Sequence, residues 1–310
     1  MNVLLTGATG FIGSDVLNAC INKGWQVSAL GRNKVSQSSK CKFHKAALGK
    51  DAIPSEAFTD VDVVVHCAAK SSFSKSDDES ALKTVNVDGT IALARAAAEH
   101  GVKRFIFLSS IKVNGEETES GIPFRFDDPP QPEDPYGQSK LDAEIELKAL
   151  SSSSNMELVI IRPPLVYGAG VGGNFASLLN LVQKRIVIPL GGIKNKRSLV
   201  SLDNLVDLIV ACMKHPSAAG QVFLVSDNDD TSTSEMLKLM KETQKGKCIL
   251  CPVPEFLIRF MFRVMGLKEA ERKLCCDLQV DIEHTQQVLS WKPPYTMLES
   301  MKSCHIGTEK

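Results

Sequence analysis

The chain has no excess charge of either sign: 36 Lys plus Arg stand against 36 Asp plus Glu in 310 residues. No net field therefore draws it to nucleic acid or to an anionic membrane, and a general nucleic-acid binder is not expected. Long hydrophobic runs are missing too. The longest apolar stretches, 61–65 and 256–265, are short or interrupted by Arg259 and Arg263, far from the ~20 apolar residues of a membrane span. No disulfide framework is written into the sequence, because its nine cysteines are an odd number scattered through a long chain. They read as thiols of a reducing compartment, so the expected location is cytoplasmic. The start, Met1-Asn2-Val3-Leu4-Leu5-Thr6, lacks a basic segment followed by an apolar one, which predicts that no leader is cleaved from it. No internal repeat is present, and the only biased tracts, 127–135 and 151–154, read as loops.

What is present is ordinary globular composition, 43% apolar and 23% charged, in a length of about two domains at ~150 residues each. Through the first half, short apolar runs alternate with longer amphipathic ones. They predict strands over 2–6, 26–30, 62–66, 104–109 and 157–161 and helices over 11–23, 78–100 and 136–150. That alternation predicts an α/β fold with an open, doubly wound parallel sheet, its strands buried on both faces and its crossovers right-handed. Beyond about residue 162 the alternation loosens. Proline and glycine gather at 163–164 and 168–173, followed by a helix near 174–183, a strand near 198–201, a helix from 203, a strand near 222–225 and a capping box at Ser232 and Glu235. The expected division is a dinucleotide-binding part over 1–162 and a smaller lobe over 163–310, partly interleaved with the sheet.

Thr6-Gly7-Ala8-Thr9-Gly10-Phe11-Ile12-Gly13 lies between the first strand and the first helix. Glycine at 7 permits the tight turn, glycine at 10 lets backbone approach a pyrophosphate, glycine at 13 lets helix and strand pack closely, and the helix N-terminus faces the anion. A structural turn alone would explain two of the three; the strand before and the helix after point to a dinucleotide. The place where an acidic residue commonly holds the adenosine ribose reads Leu30-Gly31-Arg32-Asn33-Lys34. With no carboxylate there, Arg32 and Lys34 are the candidates for a 2′-phosphate, or else part of a solvated basic loop, and NAD and NADP both stay open.

Tyr136 and Lys140 are four apart where a helix begins, and so fall on one face. The ammonium there favours the phenolate and lowers a pKa that is ordinarily ~10, so that the tyrosine can exchange a proton with a carbinol at neutral pH. Ser110, after the strand that ends Leu108-Ser109, stands where it can hydrogen-bond the same oxygen.

With these motifs the chain resembles the extended short-chain dehydrogenase/reductase superfamily, in particular its NAD(P)-dependent nucleotide-sugar epimerase/dehydratase branch. The matches occur in family order: Thr6-Gly-x-x-Gly-x-x-Gly13, His66-Cys-Ala-Ala69, Asn86-Val-Asp-Gly-Thr90, Leu108-Ser-Ser110, Tyr136-x-x-x-Lys140, Arg162-Pro163 with Val166-Tyr-Gly168, Arg197-x-Leu-Val-Ser-Leu-Asp203, and a tail with Leu278-Gln-Val-Asp281 and Leu289-Ser-Trp-Lys-Pro-Pro294. The resemblance implies a Rossmann sheet with a C-terminal substrate-binding lobe. It implies Ser110, Tyr136 and Lys140 as the catalytic set, and Gly7, Gly10, Phe11, Ile12, Gly13, Ala68, Ala69, Tyr136, Lys140 and Pro163 at the cofactor. It places Asn174, Phe175, the backbone near Val187, Arg197 and Ser110 at a nucleoside-diphosphate sugar. A homodimer through the helices 78–100 and 136–150 is also implied.

Where sugar dehydratases carry an Asp-Glu pair, this chain has Ile111 and Lys112, so dehydration is not expected. Asn114 replaces a frequent tyrosine. Cys248-x-x-Cys251 and Cys275-Cys276 lack a second pair and a nearby histidine and read as buried thiols, with no metal site. His66 reads as structural. The stretch 256–265 reads as a lobe helix packed on the sheet, with membrane docking or the lining of a lipid-linked substrate as the alternative. The expected function is epimerisation at C4 of a nucleotide sugar through a transient keto sugar. The alternatives are an NADPH-dependent 4-keto-sugar reductase and, from another class, a non-catalytic dinucleotide sensor or scaffold.

Overall fold

A computed structural model describes residues 1–35, 40–71 and 79–304. Strand β1 (Asn2–Thr6), α1 (Phe11–Asn22), β2 (Gln26–Gly31), β3 (Lys42–Lys45) and β4 (Val63–His66) open the chain. Next, α2 (Ser80–Leu82), a π-helical turn (Lys83–Asp88) and α3 (Gly89–Glu99) follow one another without a break, then β5 (Arg104–Leu108), α4 (Pro135–Ser152) and β6 (Glu157–Arg162). The remainder is β7 (Leu165–Tyr167), α5 (Gly173–Gln183), β8 (Val187–Ile188), β9 (Leu199–Ser201), α6 (Leu202–Lys214), β10 (Val222–Leu224), α7 (Thr233–Thr243), β11 (Ile249–Leu250), α8 (Glu255–Val264), α9 (Lys268–Cys275), α10 (Glu283–Leu289) and α11 (Met297–Ser303).

Seven strands form one sheet in the order β10-β6-β5-β4-β1-β2-β3, every pair parallel. Because side chains alternate along a strand, each apolar run supplies both faces. Val3, Leu5, Val63, Val65, Ile106 and Ile161 meet α1 and α6 on one side. Leu4, Val64, Phe105, Phe107, Leu158 and Ile160 meet α3 and α4 on the other. The strand order reverses between β1 and β4, so the crevice for a ligand opens at their carboxyl ends.

The five strands expected in the first half are present within a residue or two, while β3, four residues reading Lys-Phe-His-Lys, was not expected. The helix expected over 78–100 starts at Ser80, its first position lies outside the described residues, and it contains a π-helical turn that periodicity does not reveal. The box at Ser232 and Glu235 caps α7. From the second half, β10 returns to pair with β6 and α6 packs under the sheet, whereas α5, α7, α8 and α11 enclose a separate apolar core around Tyr167, Phe175, Leu237 and Met301. The expectation for 256–265 is corrected here: α8 joins that second core through Ile258 and Phe262, not the sheet, and leaves its other face in solvent.

Candidate active site

Gly7 has φ +74°, a conformation costly for any other residue, and a Cβ there would lie 2.7 Å from the backbone nitrogen of Ala68. A Cβ on Gly13 would meet the Gly7 carbonyl at 2.1 Å. The turn is thus pressed against the end of β4 on one side and the start of α1 on the other. Gly10 caps α1 without any side-chain hydrogen bond, leaving the first amides of the helix free to face an anion. These are the features that a dinucleotide pyrophosphate requires. Phe11 and Ile12 begin α1, and Ala68 with Ala69 follow β4, at the same crevice. Arg32 is exposed just past the end of β2.

The two strand ends at this crevice are tied by His66. Thr90 Oγ1 donates to the Asn86 carbonyl at 2.7 Å, so at 2.9 Å it must accept from His66 Nε2; His66 Nδ1 then accepts the Thr6 hydroxyl at 2.6 Å. Complete burial holds the imidazole down to about 3, and it remains neutral. Asn86, in the π-helical turn, accepts from the Lys70 amide at 2.8 Å and donates to Ser139 Oγ at 3.0 Å, joining the loop after β4 to the helix of Tyr136. The expected structural role of His66 has its physical content here.

Tyr136 and Lys140 stand on the inner face of α4. Lys140 is 2% exposed, its Nζ donates to the Leu108 carbonyl at 2.8 Å, and it lies 5.9 Å from the centroid of the Tyr136 ring. That carbonyl is two residues before Ser110. Ser110 is extended, half-buried, and its Oγ accepts from the Lys112 amide, while Ile111 donates to the Pro163 carbonyl at 2.9 Å. Asp134 caps α4 by accepting from the Gly137 amide at 2.6 Å, and Lys112 pairs with both Asp134 and Glu116. Arg272 of α9 reaches across to Glu116 and Glu133, fastening the second half of the chain to this loop.

The electrostatics differ from the sequence expectation. Burial pushes the Tyr136 phenol up to about 12, with Asp134 adding to the rise, rather than Lys140 lowering it. The lysine is itself buried, and burial draws it down to about 8. Between about 8 and the ordinary 10.5 the unfolded chain holds a proton that the folded chain has released, so stability rises with pH across that window, and the cost of the buried charge is in full force below it. Lys140→Met should therefore melt higher at pH 7 by an equivalent of about 1–3 kcal/mol, less the lost hydrogen bond, with the gap closing by about pH 10. Melting below the native chain at pH 7 would show that the bond to Leu108 outweighs desolvation.

Arg197 bridges Thr231 and Leu278 by backbone, and its Nη1 donates to the Cys276 carbonyl at 3.1 Å. Its guanidinium is held below the ordinary arginine range by burial and has no ion pair among the described residues, an arrangement that suits an incoming anion. A cleft beside it is lined by Thr118, Lys194, Asn195, Glu255, Arg259 and Cys276. Asn174 is exposed in the first turn of α5, whereas the Phe175 ring is buried and stacked on Tyr167 at 5.4 Å, so only the backbone of Phe175 can face a ligand. Sequence reasoning missed Glu144. This carboxylate, 0% exposed, accepts from Arg162 Nε at 2.9 Å and Nη2 at 2.6 Å and from Ser109 Oγ at 2.5 Å, and Arg162 Nη1 donates to Asn114 Oδ1 at 2.9 Å. The only sequence signal was that Tyr136, Lys140 and Glu144 repeat at four-residue spacing.

A sequence profile described as "NAD dependent epimerase/dehydratase family" matches residues 3–226. Over 306 residues the chain is 44% identical to a UDP-glucose 4-epimerase of Vibrio cholerae, covering 97% of this chain and 93% of that one. Its fold is similar to that of the UDP-glucose 4-epimerase of Thermotoga maritima solved with UDP-glucose, with a TM-score of 0.79, 22% identity and coverage of 97% and 96%. It is also similar to that of a UDP-glucuronic acid 4-epimerase from Bacillus cereus solved with NAD, with a TM-score of 0.78, 22% identity and coverage of 98% and 97%.

Proposed function

The chain belongs to the NAD dependent epimerase/dehydratase family, and from that premise we propose that it interconverts the C4 epimers of a nucleoside-diphosphate sugar, UDP-glucose or a UDP-N-acetylhexosamine. The observation that carries this reading is Lys140, buried beneath Tyr136 and anchored beside Ser110, at the mouth of a glycine turn too tight for any side chain. NAD, when bound, supplies a reversible hydride acceptor, which lets the sugar pass through a ketone and return.

The residues of the chain do the rest. Gly7, Gly10 and Gly13 with the α1 amides hold the pyrophosphate, and Ala68, Ala69 and Pro163 border the same crevice. Arg32 stands at the ribose end of it. Tyr136 takes the C4 hydroxyl proton and gives it back, Ser110 orients that oxygen by a hydrogen bond, and Lys140 places a positive charge under the phenol. Arg197 and the first turn of α5, through Asn174 and the Phe175 backbone, hold the nucleoside diphosphate. The division into a dinucleotide part over 1–162 and a substrate lobe over 163–310 belongs to the same reading, supported by the separate apolar core of the second half. So do a homodimer through α3 and α4, where Ile145 is exposed, and a cytoplasmic location, supported by nine unpaired thiols. No helix among the described residues is long and apolar enough to cross a membrane.

The test is incubation of the chain with UDP-, GDP- and dTDP-sugars, with NAD or NADPH, reading products by NMR and mass. Interconversion of 4-epimers at constant 340 nm absorbance is expected. Stoichiometric NADPH consumption on a 4-keto sugar without interconversion would transfer the activity to a reductase, and no turnover at all to a binding protein. Arg197→Ala should raise KM about tenfold or more, the loss of a charge-assisted hydrogen bond, with little change in kcat, because a diphosphate remote from C4 is held alike in ground and transition states. A fall in kcat alone would place Arg197 at the chemistry.

A further inference from the structure

Helix α8 carries an apolar stripe that nothing among the described residues covers. Phe256, Phe260 and Val264 are 69%, 66% and 71% exposed, and Leu257, Met261 and Met265 are exposed beside them. The spacings 256–260–264 and 257–261–265 place these side chains on one side of the helix. The other side is occupied: Ile258 and Phe262 enter the second core, and Arg259 bonds to Glu255 and to the Cys275 carbonyl. Soluble surfaces rarely expose so much apolar area in one place unless it meets a partner or a membrane.

The chain that leads into α8 extends the pattern. Val187 of β8 and Ile249 of β11 are neighbours in register, 62% and 63% exposed. Around them stand Lys184, Arg185, Lys245 and Lys247, all exposed and without an ion pair among the described residues. Arg263, paired with Glu271 but with most of its side chain exposed, lies at the edge of the stripe, and Lys268 opens α9.

We propose that this face docks on a bilayer surface containing anionic lipids, with α8 lying in the headgroup layer. Apolar side chains fringed by cations, most of them here unpaired among the described residues, are what an interfacial helix needs: the rings enter the acyl boundary and the cations meet the phosphates. A symmetric pairing of two copies through this face would instead bring like charges together. The chain as a whole is neutral, so the attraction comes from local charge such as the cations around this face and not from a net field. The same helix also turns Glu255 and Arg259 into the cleft beside Arg197, so docking sets that cleft within about one helix diameter, ~10 Å, of the headgroups.

The experiment is sedimentation of the full chain with vesicles of phosphatidylcholine alone and of phosphatidylcholine with about one third phosphatidylglycerol. The chain should bind the anionic vesicles several-fold better, and less as salt rises from about 0.1 M to about 1 M and the Debye length shrinks from ~10 Å to ~3 Å. Phe256→Ser with Phe260→Ser and Val264→Ser should lower binding at least ~10-fold, with melting and turnover of a soluble nucleotide sugar unchanged. Lys184→Glu with Lys247→Glu, which leaves the helix alone, should abolish the preference for anionic vesicles. Native chain that stays in the supernatant, or either variant binding as the native chain does, overturns the proposal. So does a native dimer that the triple serine variant splits without any vesicle binding, which would assign the face to a second copy. Failure of the epimerase reading would leave the vesicle result untouched.

Discussion

Tyr136→Phe should cut turnover by about 10²-fold or more while dinucleotide binding stays nearly intact. The substitution removes one oxygen and keeps the ring, so the packing over Lys140 and the bond from Lys140 to the Leu108 carbonyl survive. Folding should not suffer, because no protein group depends on the phenol oxygen for a hydrogen bond in the described residues. What is lost is the only group on the inner face of the first turn of α4 that can take and return a proton. In the protein alone that phenol sits near 12, raised by burial and by Asp134, so the proton is held firmly until positive charge in the crevice offsets both influences. Lys140 supplies such charge only while protonated, and burial has drawn it to about 8. Activity should therefore fall on the alkaline side of about pH 8, as Lys140 loses its proton, a pH profile that bulk unfolding would not reproduce. Near-native turnover in Tyr136→Phe would remove Tyr136 from the chemistry, and a rate still climbing at pH 9 would remove the Lys140 charge from it.

How far the sequence reaches depends on whether a residue acts through its neighbours in the chain or across the fold. The glycine turn, the sheet and the Tyr136–Lys140 pair are local patterns: three spacings and a run of apolar residues suffice, and the structure places them where those spacings imply. Residues whose partners are far along the chain were not legible. Arg162 and Asn114 meet across 48 residues, His66 and Thr90 across 24, and Lys112 and Asp134 across 22. Each pairs with a group that sequence alone leaves anonymous. Helix α4 shows the difficulty most plainly. Its buried face is built from Gly137, Ser139, Lys140, Ala143, Glu144 and Leu147, two charges among small and apolar side chains, so hydrophobic period cannot tell that face from the solvated one. Phe175 was legible in two ways, and the structure decides only where its ring lies. A motif match put it at the ligand, and an ordinary apolar reading of α5 would have put its ring in the core, where it is.

Glu144→Ala should cost about 3–5 kcal/mol of stability, far more than removal of a surface ion pair. Glu144 and Arg162 are 0% and 2% exposed, and the guanidinium grips the carboxylate with two nitrogens. Without the carboxylate, Arg162 keeps only Asn114 as a side-chain partner among the described residues and must hold a buried charge that none of them neutralises, and Ser109 loses the acceptor for its hydroxyl. The damage lies next to the chemistry, since Ser109 precedes Ser110, Arg162 precedes Pro163, whose carbonyl holds Ile111, and Glu144 is one turn from Lys140. Replacing both charges, Glu144→Leu with Arg162→Leu, removes the uncompensated ion and should restore most of the stability, because a buried pair is worth little against apolar groups of like volume. It should not restore turnover, because Asn114 Oδ1 and the Ser109 hydroxyl are still without their partners and the bond from Ser109 to α4 is gone. Urea midpoints and kcat on the three proteins separate the two effects. Recovery of both stability and rate in the double variant would reduce the network to packing, and a loss below about 1 kcal/mol in Glu144→Ala would mean that water reaches the pair.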